Sequence, residues 1–321
     1  MRARRFVTRT NTATIEDVEA CYTLLLKRPP DTEGLAHYRR RLDSQHLSIL
    51  DVVAEMVGSP EYESARQTPA AEPATVTVDA GRFRLQVFAA DRAIGHAMAA
   101  TGAFEQDVSD TLDGLLRPGS VFVDVGANYG WHSLLAASAV GTTGRVIAIE
   151  PNPLNTLLLR RSAEENGFTN ITVRTMATSD RDGFGALETD GSNGRIISLD
   201  ATIEEPVGCS FVVPLRRLDA ILERAGDPTV DVVKIDVEGF ELATLRGATE
   251  LIERHHPVIV SEFFPLALRS TGGVEPESYL NALRDLEYSI SVIGREGAAA
   301  NEEILAGLEG DAHVDIVATP V

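Results

Sequence analysis

The sequence predicts an α/β protein: a parallel, doubly wound sheet, preceded by a β-hairpin and by a small all-helical domain at the N-terminus. Two observations carry this prediction. From residue 121 onward, short apolar segments alternate with segments of helical spacing, which is the pattern of repeated strand–helix–strand units. Before residue 67, apolar residues recur at helical spacing alone, so this part is expected to hold helices and no sheet.

Composition shifts divide the chain into four parts. Residues 1–13 are basic and polar and predict a flexible tail, and residues 14–66 have the helical spacing of a small domain. Residues 67–75 contain two prolines among small residues, which is typical of a linker. Residues 76–321 then form the domain that holds the sheet.

Three helices are expected in the first domain. Apolar residues repeat at helical spacing from Ile15, while Asp31 and Thr32 are suited to cap a second helix and Ser48 a third. Nothing in the domain has the spacing of catalytic groups. We therefore expect residues 14–66 to act as an interaction module with a possible protein partner.

The second domain is expected to begin with the hairpin. Residues 75–79 and 81–89 alternate apolar and polar side chains, and a helix over 108–116 follows them. The main sheet then takes seven strands, at residues 121–125, 146–150, 171–177, 230–236, 258–263, 288–293 and 313–319. Residues 180–215 are rich in Gly, Asp and Ser and lack a helical period. They are expected to form a long connection, of the kind that carries function or is flexible.

Charge and composition restrict the partners. The formal net charge is −19, and residues 1–66 hold ten basic and ten acidic residues, so the excess negative charge belongs to the larger part. A nucleic-acid substrate is not expected, since such proteins present a basic surface, and a neutral, non-phosphate acceptor is favoured. Apolar runs fall short of the roughly 20 residues of a membrane span, and the N-terminus lacks the apolar segment of a secretory signal. With Cys21 and Cys209 as the only cysteines, we expect a cytoplasmic protein without a metal cluster.

A glycine loop after the first main strand gives the first functional prediction. The segment reads Val121-Phe-Val-Asp-Val-Gly-Ala-Asn-Tyr-Gly-Trp131, in which Gly126 and Gly130 are expected to let the backbone approach a ligand closely. The next strand ends in Glu150, where a carboxylate can accept both hydroxyls of a ribose. Dinucleotide folds use GxGxxG for a pyrophosphate, whereas the acid of this DxGxxxG loop repels an anion. A nucleoside with a cationic end fits better, which favours S-adenosylmethionine.

Further motifs extend this interpretation. They are Ile149-Glu-Pro-Asn152, Pro214-Leu-Arg-Arg-Leu-Asp219, Val230-Asp-Val-Val-Lys-Ile-Asp-Val-Glu-Gly-Phe-Glu241 and Ser261-Glu262. With the glycine loop, and in this order over about residues 104–265, they resemble the FkbM family of S-adenosylmethionine-dependent O-methyltransferases. The resemblance implies a class I, Rossmann-like methyltransferase sheet of seven strands, the last an antiparallel insertion. It also implies methyl transfer to a hydroxyl, commonly on a sugar of a glycan or glycolipid or on a polyketide.

The resemblance further implies a set of cofactor-binding residues. These are Asp124, Gly126, Asn128 and Gly130 around the methionine moiety, Glu150 and Asn152 at the ribose, Met176 and Ala177 near the adenine, and Glu105 ahead of the first strand.

Catalysis requires a base near the reacting oxygen, since the acceptor hydroxyl loses its proton. Asp236 is the first candidate, because it ends an apolar strand expected beside the first strand. Lys234 lies inside the same strand, where a charged group is costly unless it is paired or used. His132 is the second candidate, since an imidazole titrates near neutrality, although a packed histidine at a helix start remains an equal alternative.

Three further acids are expected near the site. Glu238 and Glu262 are expected to face the substrate, with Glu262 orienting it by hydrogen bonds in preference to holding Mg²⁺ with Asp236, so no metal is predicted. Glu241 lies in the first turn of a helix, where the macrodipole favours an acid of purely structural role. Residues 180–215 and 264–277 are expected to shape the acceptor pocket, without identifying the acceptor.

The N-terminal domain has a resemblance of its own. It is carried by Tyr22-Thr-Leu-Leu-Leu-Lys-Arg-Pro-Pro-Asp31, Glu33-Gly-Leu35, Tyr38 and Ser59-Pro-Glu-Tyr62. This pattern resembles a small helical domain of unknown function, akin to phycobilisome-linker repeats and often attached to enzymes of surface glycans.

Two other classes of function stay open from the sequence. A nicotinamide-dependent oxidoreductase uses a similar sheet, but the DxGxxxG loop argues against it. A non-catalytic scaffold is the other alternative, and the joint presence of the loop glycines, Glu150 and Asp236 argues against that one.

Overall fold

A computed structural model describes residues 13–62, apart from 14, 27, 29, 46 and 48, and residues 74–321, apart from 93, 191 and 199–208. The chain divides into two compact units, Met1–Glu72 with Cys209–Val212 and Pro73–Gly208 with Val213–Val321. The predicted tail before residue 13, residues 67–73 of the predicted linker and the predicted cap Ser48 lie outside the described residues. Across the described ranges, no helix combines the length and apolar character needed to cross a bilayer.

Over residues 13–62 the first unit is helical, as the spacing of its apolar residues predicts, while its segment Cys209–Val212 is the start of a strand that is described with the second unit. It contains helices α1 (Ile15–Leu26), α2 (Thr32–Gln45) and α3 (Ile49–Val57). The Asp31 Oδ1 atom accepts a hydrogen bond from the backbone amide of Gly34 at 2.7 Å, which caps α2. The rings of Tyr22 and Tyr38, both buried, meet edge to face with their centroids 6.2 Å apart, so this unit has a packed core of its own.

The second unit contains the remaining elements. In chain order its strands are β1 (Thr75–Asp79), β2 (Arg84–Phe88), β3 (Val121–Val125), β4 (Arg145–Glu150), β5 (Ile171–Thr175), β6 (Ala177–Thr178), β7 (Gly183–Asp190), β8 (Asn193–Ser198), β9 (Cys209–Arg216), β10 (Val232–Ile235), β11 (Val258–Phe263), β12 (Tyr288–Val292) and β13 (Val314–Pro320). Its helices are α4 (Ile94–Thr101), α5 (Gln106–Leu115), α6 (Trp131–Val140), α7 (Pro153–Glu165), α8 (Leu218–Arg224), α9 (Glu241–Arg246), α10 (Thr249–His255), α11 (Pro265–Ser270), α12 (Pro276–Asp285) and α13 (Asn301–Leu305).

The central sheet has seven strands in the order β12-β13-β11-β10-β3-β4-β5. Strand β13 runs antiparallel to both of its neighbours, while β11, β10, β3, β4 and β5 run parallel to one another. The predicted class I methyltransferase sheet, with its last strand as an antiparallel insertion, is therefore confirmed. Strands β1 and β2 pair antiparallel as the predicted hairpin.

Both faces of the central sheet are covered by apolar side chains. Val123 and Val125 belong to one core cluster, whereas Phe122 and Val146 belong to the other. Successive residues of a strand point to opposite faces, so strands buried on both faces read as unbroken apolar runs. Full burial of one such side chain contributes about 1.5–3 kcal/mol to stability. The packed core on both faces therefore holds the strands, and the residues at their ends, in place.

Residues 180–215 differ from the prediction of a long connection. Strands β7, β8 and β9, joined by β6, form a second sheet of four strands in the order β6-β9-β7-β8. Glycines at 183, 185 and 194 dilute the alternating pattern of β7 and β8, and this hid the strands. The predicted third strand, 171–177, is longer than the observed one. Strand β5 stops at Thr175, and Ala177 already belongs to the second sheet.

Candidate active site

A cleft of about 290 Å³ lies at the carboxyl ends of β3, β4 and β10. This is close to the lower limit of about 300 Å³ for typical small-molecule sites, and the edge is where open α/β sheets bind ligands. Eleven of the predicted site residues line it: Glu105, Gly126, Asn128, His132, Glu150, Met176, Ala177, Lys234, Asp236, Glu238 and Glu262. The sheet therefore brings together groups that are far apart in sequence.

The glycine loop forms the floor of the cleft. Gly126 has a φ of 85°, and a Cβ atom placed there would lie 1.7 Å from the backbone oxygen of Asp236. At Gly130, with a φ of 95°, a Cβ atom would lie 2.1 Å from a methyl carbon of Leu159. The structure gives these glycines a further requirement, since the loop packs against Asp236 at the end of β10 and against Leu159 of α7. That they let the backbone approach a ligand closely stays a prediction.

One end of the cleft is built around Glu150 and is called here the Glu150 end, comprising Asn128, Glu150, Asn152 and Asn155. Glu150 Oε2 accepts a hydrogen bond from the Asn128 backbone amide at 2.9 Å, and Oε1 accepts one from the Asn152 amide at 2.8 Å. Burial raises the pKa of Glu150 to about 7, although these amides work to lower it. Oε1 also accepts a hydrogen bond from Asn155 Nδ2 at 3.4 Å, so Oε2 is the oxygen that keeps a lone pair for a ligand donor.

The opposite end, called here the Lys234 end, comprises Glu105, His132, Lys234, Asp236, Glu238 and Glu262. Lys234 Nζ lies 2.8 Å from Asp236 Oδ2, and the lysine side chain is buried while Asp236 is 26% exposed. Burial works to lower the pKa of Lys234, but the carboxylates of Asp236, Glu105 and Asp124 outweigh it and raise that pKa. The ammonium is therefore charged, and Asp236 is the paired acid that reaches the cleft.

Glu105 and His132 form a second contact at the Lys234 end. His132 Nε2 lies 3.7 Å from Glu105 Oε2, and Glu105 adopts a left-handed backbone conformation with a φ of 41°. Burial, followed by the charge of Lys234, lowers the pKa of His132 well below its ordinary 6.5. This burial favours the equal alternative of a packed histidine at a helix start, whose ring is neutral at physiological pH.

The outer part of the Lys234 end is acidic. Glu262 pairs in register with Asp315 on β13, and its Oε1 lies 3.9 Å from His313 Nε2. Burial, together with the charges of Asp236 and Glu238, raises the pKa of Glu262 to about 10. Glu262 is therefore protonated at neutral pH and presents an O–H donor as well as an acceptor. In the described part of the chain, no group of three His, Cys, Asp or Glu side chains is placed to hold a metal ion.

Three of the predicted site residues do not line the cleft. Asp124 lies beneath it, 1% exposed, with Oδ2 accepting a hydrogen bond from the Ser133 hydroxyl at 2.6 Å. Gly130 begins α6, and Asn152 caps α7 by accepting the Leu154 amide at 3.0 Å. All three support residues that do line the cleft, and none is placed for direct contact with a ligand.

The cleft is also lined by residues that the sequence interpretation missed. Phe240 follows β10, His313 precedes β13, and Asn193 opens β8. Asn193 lies within the predicted pocket segment 180–215, but it was not singled out because its strand was not predicted. The Asp190-Gly191 pair was the sequence signal that could have indicated a hairpin there. Glu241 behaves as expected of a structural acid: its Oε1 accepts the Gly239 amide at 3.0 Å at the start of α9.

Comparison with known families places most of the second unit in one of them. The family model described as a methyltransferase FkbM domain matches residues 124–290, about half of the chain. A model of a domain of unknown function, DUF4214, matches residues 1–65. The two matched regions follow each other in the order that the motifs predict.

Curated relatives and solved structures add similarities of different extent. Hexuronic acid methyltransferase AglP of Haloferax volcanii is 28% identical over 188 residues, which cover 59% of this chain and 71% of that protein. Ribosomal RNA large subunit methyltransferase E of Halorhodospira halophila is 44% identical over 59 residues, or 18% of this chain and 28% of that protein. The crystal structure of a methyltransferase FkbM from Methylobacillus flagellatus has 17% identity and a TM-score of 0.42, covering 94% of this chain and 59% of that one. The fold described above stands on its own topology, without these structural scores.

Proposed function

Because the chain belongs to the FkbM family of methyltransferases, we propose that it transfers a methyl group from S-adenosylmethionine to a hydroxyl oxygen of a sugar. The observation that carries the proposal is the pairing of two ends in one cleft. A fixed carboxylate, Glu150, faces the same space as the Lys234–Asp236 ion pair. One end suits a ribose and the other suits a reacting hydroxyl.

The residues of the cleft fit this methyl donor. Glu150 Oε2 keeps a lone pair for a ribose hydroxyl, while Ile149, Met176 and Ala177 offer an apolar wall for the adenine. The excess of carboxylates at the Lys234 end favours a ligand with positive charge, as the ammonium and sulfonium provide. When bound, the donor supplies an electrophilic methyl carbon: a carbon–oxygen bond forms as the carbon–sulfur bond breaks, and the electron pair stays on sulfur.

Asp236 is the base of the proposed reaction. Its Oδ2 is held by Lys234 Nζ at 2.8 Å, which leaves Oδ1 to take the proton of the acceptor hydroxyl. The rigid ion pair fixes the direction of this carboxylate, and such alignment supplies much of the rate of a displacement. His132, kept neutral by its surroundings, is assigned a packing role beside Glu105.

The acceptor is assigned to the outer part of the cleft. Glu238 and the protonated Glu262 offer an acceptor and a donor for neighbouring sugar hydroxyls, and Phe240 offers a ring face. A sugar acceptor is further supported by the hexuronic acid specificity in the name of the archaeal relative. A partner role for residues 14–66 and a cytoplasmic setting stay predictions from the sequence.

Two kinds of measurement test the proposal. Titration calorimetry is expected to show that S-adenosylmethionine and S-adenosylhomocysteine bind whereas NAD does not. In thermal unfolding, the ligands that bind should also raise the melting temperature, since a ligand of the folded state stabilises it by mass action. Incubation with methyl-labelled donor and a panel of glycans and glycolipids is then expected to give label in a methyl ether. Binding of NAD in place of the methyl donor, or label on nitrogen, would contradict the proposal.

A further inference from the structure

A second cavity of about 500 Å³ adjoins the cleft and has a different charge. It shares Ile196 of β8 and Phe240 with the cleft. Its charged lining consists of three arginines, Arg181, Arg195 and Arg246, and one acid, Asp180. In a chain with a net charge of −19, this local excess of positive charge stands out.

The three arginines differ in how far they are already paired. Arg181 NH1 lies 3.7 Å from Asp180 Oδ1, and Arg195 Nε lies 2.8 Å from Glu188 Oε2. The guanidinium of Arg246, in the last turn of α9, is exposed and has no hydrogen bond or ion pair with any residue that the structure describes. A planar guanidinium without a partner is suited to receive a carboxylate in bidentate fashion.

A third cavity, of about 400 Å³, connects the other two around β8. It shares Asn193, Gly194 and Glu238 with the cleft, and it shares Arg195, Ser270 and Thr271 with the second cavity. The cleft and both cavities therefore adjoin one another along β8, and together they are called the groove here. An acceptor longer than one sugar could occupy this groove while one of its hydroxyls faces Asp236.

We propose that this groove binds an oligosaccharide acceptor that carries a carboxylate, and that Arg246 and Arg195 hold the carboxylate in the second cavity. This inference rests on the proposed function. The carboxylate is excluded from the reacting end, because Asp236 and Glu238 repel a negative charge there. The expectation of a neutral acceptor from net charge is thereby revised, since the positive charge is concentrated where the groove continues beyond the cleft.

The test compares two tetrasaccharides of equal length on the full chain saturated with S-adenosylhomocysteine. One is a hyaluronan tetrasaccharide, which carries two carboxylates, and the other is chitotetraose, which carries none. In calorimetry at about 0.15 M salt, where distant charges are screened, we expect the hyaluronan fragment to bind about tenfold more tightly. Arg246→Gln and Arg195→Gln are each expected to remove most of this preference without changing the affinity for chitotetraose.

Arg145→Gln is the matched control. Arg145 is exposed and begins β4, about 16 Å along the strand from Glu150. Its substitution removes the same charge as the other two variants, but from the opposite edge of the sheet. It is expected to keep the tenfold preference. Equal affinity for the two probes, no binding of either, or an equal loss in Arg145→Gln would overturn the inference. Loss of S-adenosylhomocysteine binding would instead count against the proposed function, so the two failures are distinguishable.

Discussion

The two ends of the cleft hold their polar groups in opposite ways. At the Glu150 end, both carboxylate oxygens accept backbone amides that belong to the glycine loop and to the start of α7. At the Lys234 end, several acids surround a single ammonium, and His132 Nε2 and Glu262 Oε2 are buried without a hydrogen-bond partner among the described residues. Asn155 Oδ1 of the Glu150 end also lacks a partner within the described ranges, but the Glu150 carboxylate itself is fixed in one geometry, whereas at the Lys234 end the unpartnered atoms belong to the ionisable groups themselves.

This difference suggests a division of labour within one cleft. Backbone amides move only if the fold moves, so Glu150 is suited to a ligand that is the same in every turnover. The groups of the Lys234 end exchange protons and hydrogen bonds, which suits the reacting hydroxyl and its proton. Loss of a group from each end should therefore have a different consequence, and the following variants separate the two.

The largest effect is expected at Gly126, where the glycine loop contacts the backbone of Asp236. In Gly126→Ala, the new Cβ would lie 1.7 Å from the Asp236 backbone oxygen, so the loop or β10 must shift. We expect a loss of unfolding free energy of more than about 4 kcal/mol, or failure to fold, measured by thermal and urea unfolding. Gly141→Ala is the control, because Gly141 has a φ of 64° and a ψ of −172° but open space around it, so only backbone strain of about 1–3 kcal/mol is expected.

Removal of the proposed base should come next. Asp236→Asn is expected to lower the single-turnover rate by about 10²–10⁴-fold while the affinity for S-adenosylmethionine stays within about fivefold. Rapid quench with labelled donor measures the rate, and calorimetry measures the affinity. A variant with an unchanged rate would transfer the role of base to another group at the Lys234 end.

At the Glu150 end, the expected effect is on binding. Glu150→Gln loses the charged acceptor of the ribose hydroxyls and turns an amide N–H toward a backbone N–H. Affinity for S-adenosylmethionine is expected to fall about 100-fold, since hydrogen bonds to a charged group contribute about 1.5–3 kcal/mol each. The rate at saturating donor should change by less than tenfold. A fall in rate at unchanged affinity would contradict the division between the two ends.

Stability should depend on pH through two buried acids, Glu150 in the cleft and Glu241 at the start of α9. Glu150 and Glu241 have pKa values raised by burial from 4.5 to about 7, so the folded protein binds more protons than the unfolded chain between these values. Their contribution is fully present below pH 4.5 and is lost as the pH rises through 7. Urea unfolding at pH 5 and pH 8 gives the difference in unfolding free energy between the two pH values. Glu241→Gln should reduce this difference by about 1–3 kcal/mol. An unchanged difference would mean that Glu241 keeps its ordinary pKa.

The smallest change is expected from His132. Because its ring stays neutral, His132→Gln should leave the shape of the profile of kcat/KM against pH unchanged between pH 6 and 9, even if the rate falls a few-fold. Initial rates across that range measure it. A titration near pH 6.5 that disappears in the variant would restore His132 as a candidate base.

Much of the fold was accessible from sequence for a physical reason. Strands β3, β4, β10 and β11 are buried on both faces, and such strands appear as nearly continuous apolar runs, here interrupted by Asp124 in β3 and Lys234 in β10. The second sheet was not accessible, because the glycines of β7 and β8 obscure the period of two. Its existence matters for function, since Asn193 and Arg195 line the groove from that sheet.

The site was accessible only in part. The strand ends that carry Glu150 and Asp236 could be inferred because parallel strands bring their carboxyl ends to one edge. The depth at which each group lies could not be inferred. Burial of His132 and the seat of Asp124 beneath the cleft depend on how α6 packs on the sheet, and no local pattern encodes that. The contact of Gly126 with Asp236 joins residues 110 positions apart, which no local motif reveals.

Strand β13 has a consequence for how the protein is made. It is the last strand of the central sheet to be synthesised, yet it lies between β12 and β11. While the ribosome is still translating Val314–Pro320, β12 has no edge to join, and Glu262 lacks its neighbour Asp315. Until β13 joins the sheet, β11 has an open edge, and the part of the cleft that His313 lines is incomplete. This edge is covered only when β13 pairs with β11 and β12, and an unpaired strand edge of this kind makes a partly folded chain prone to aggregate.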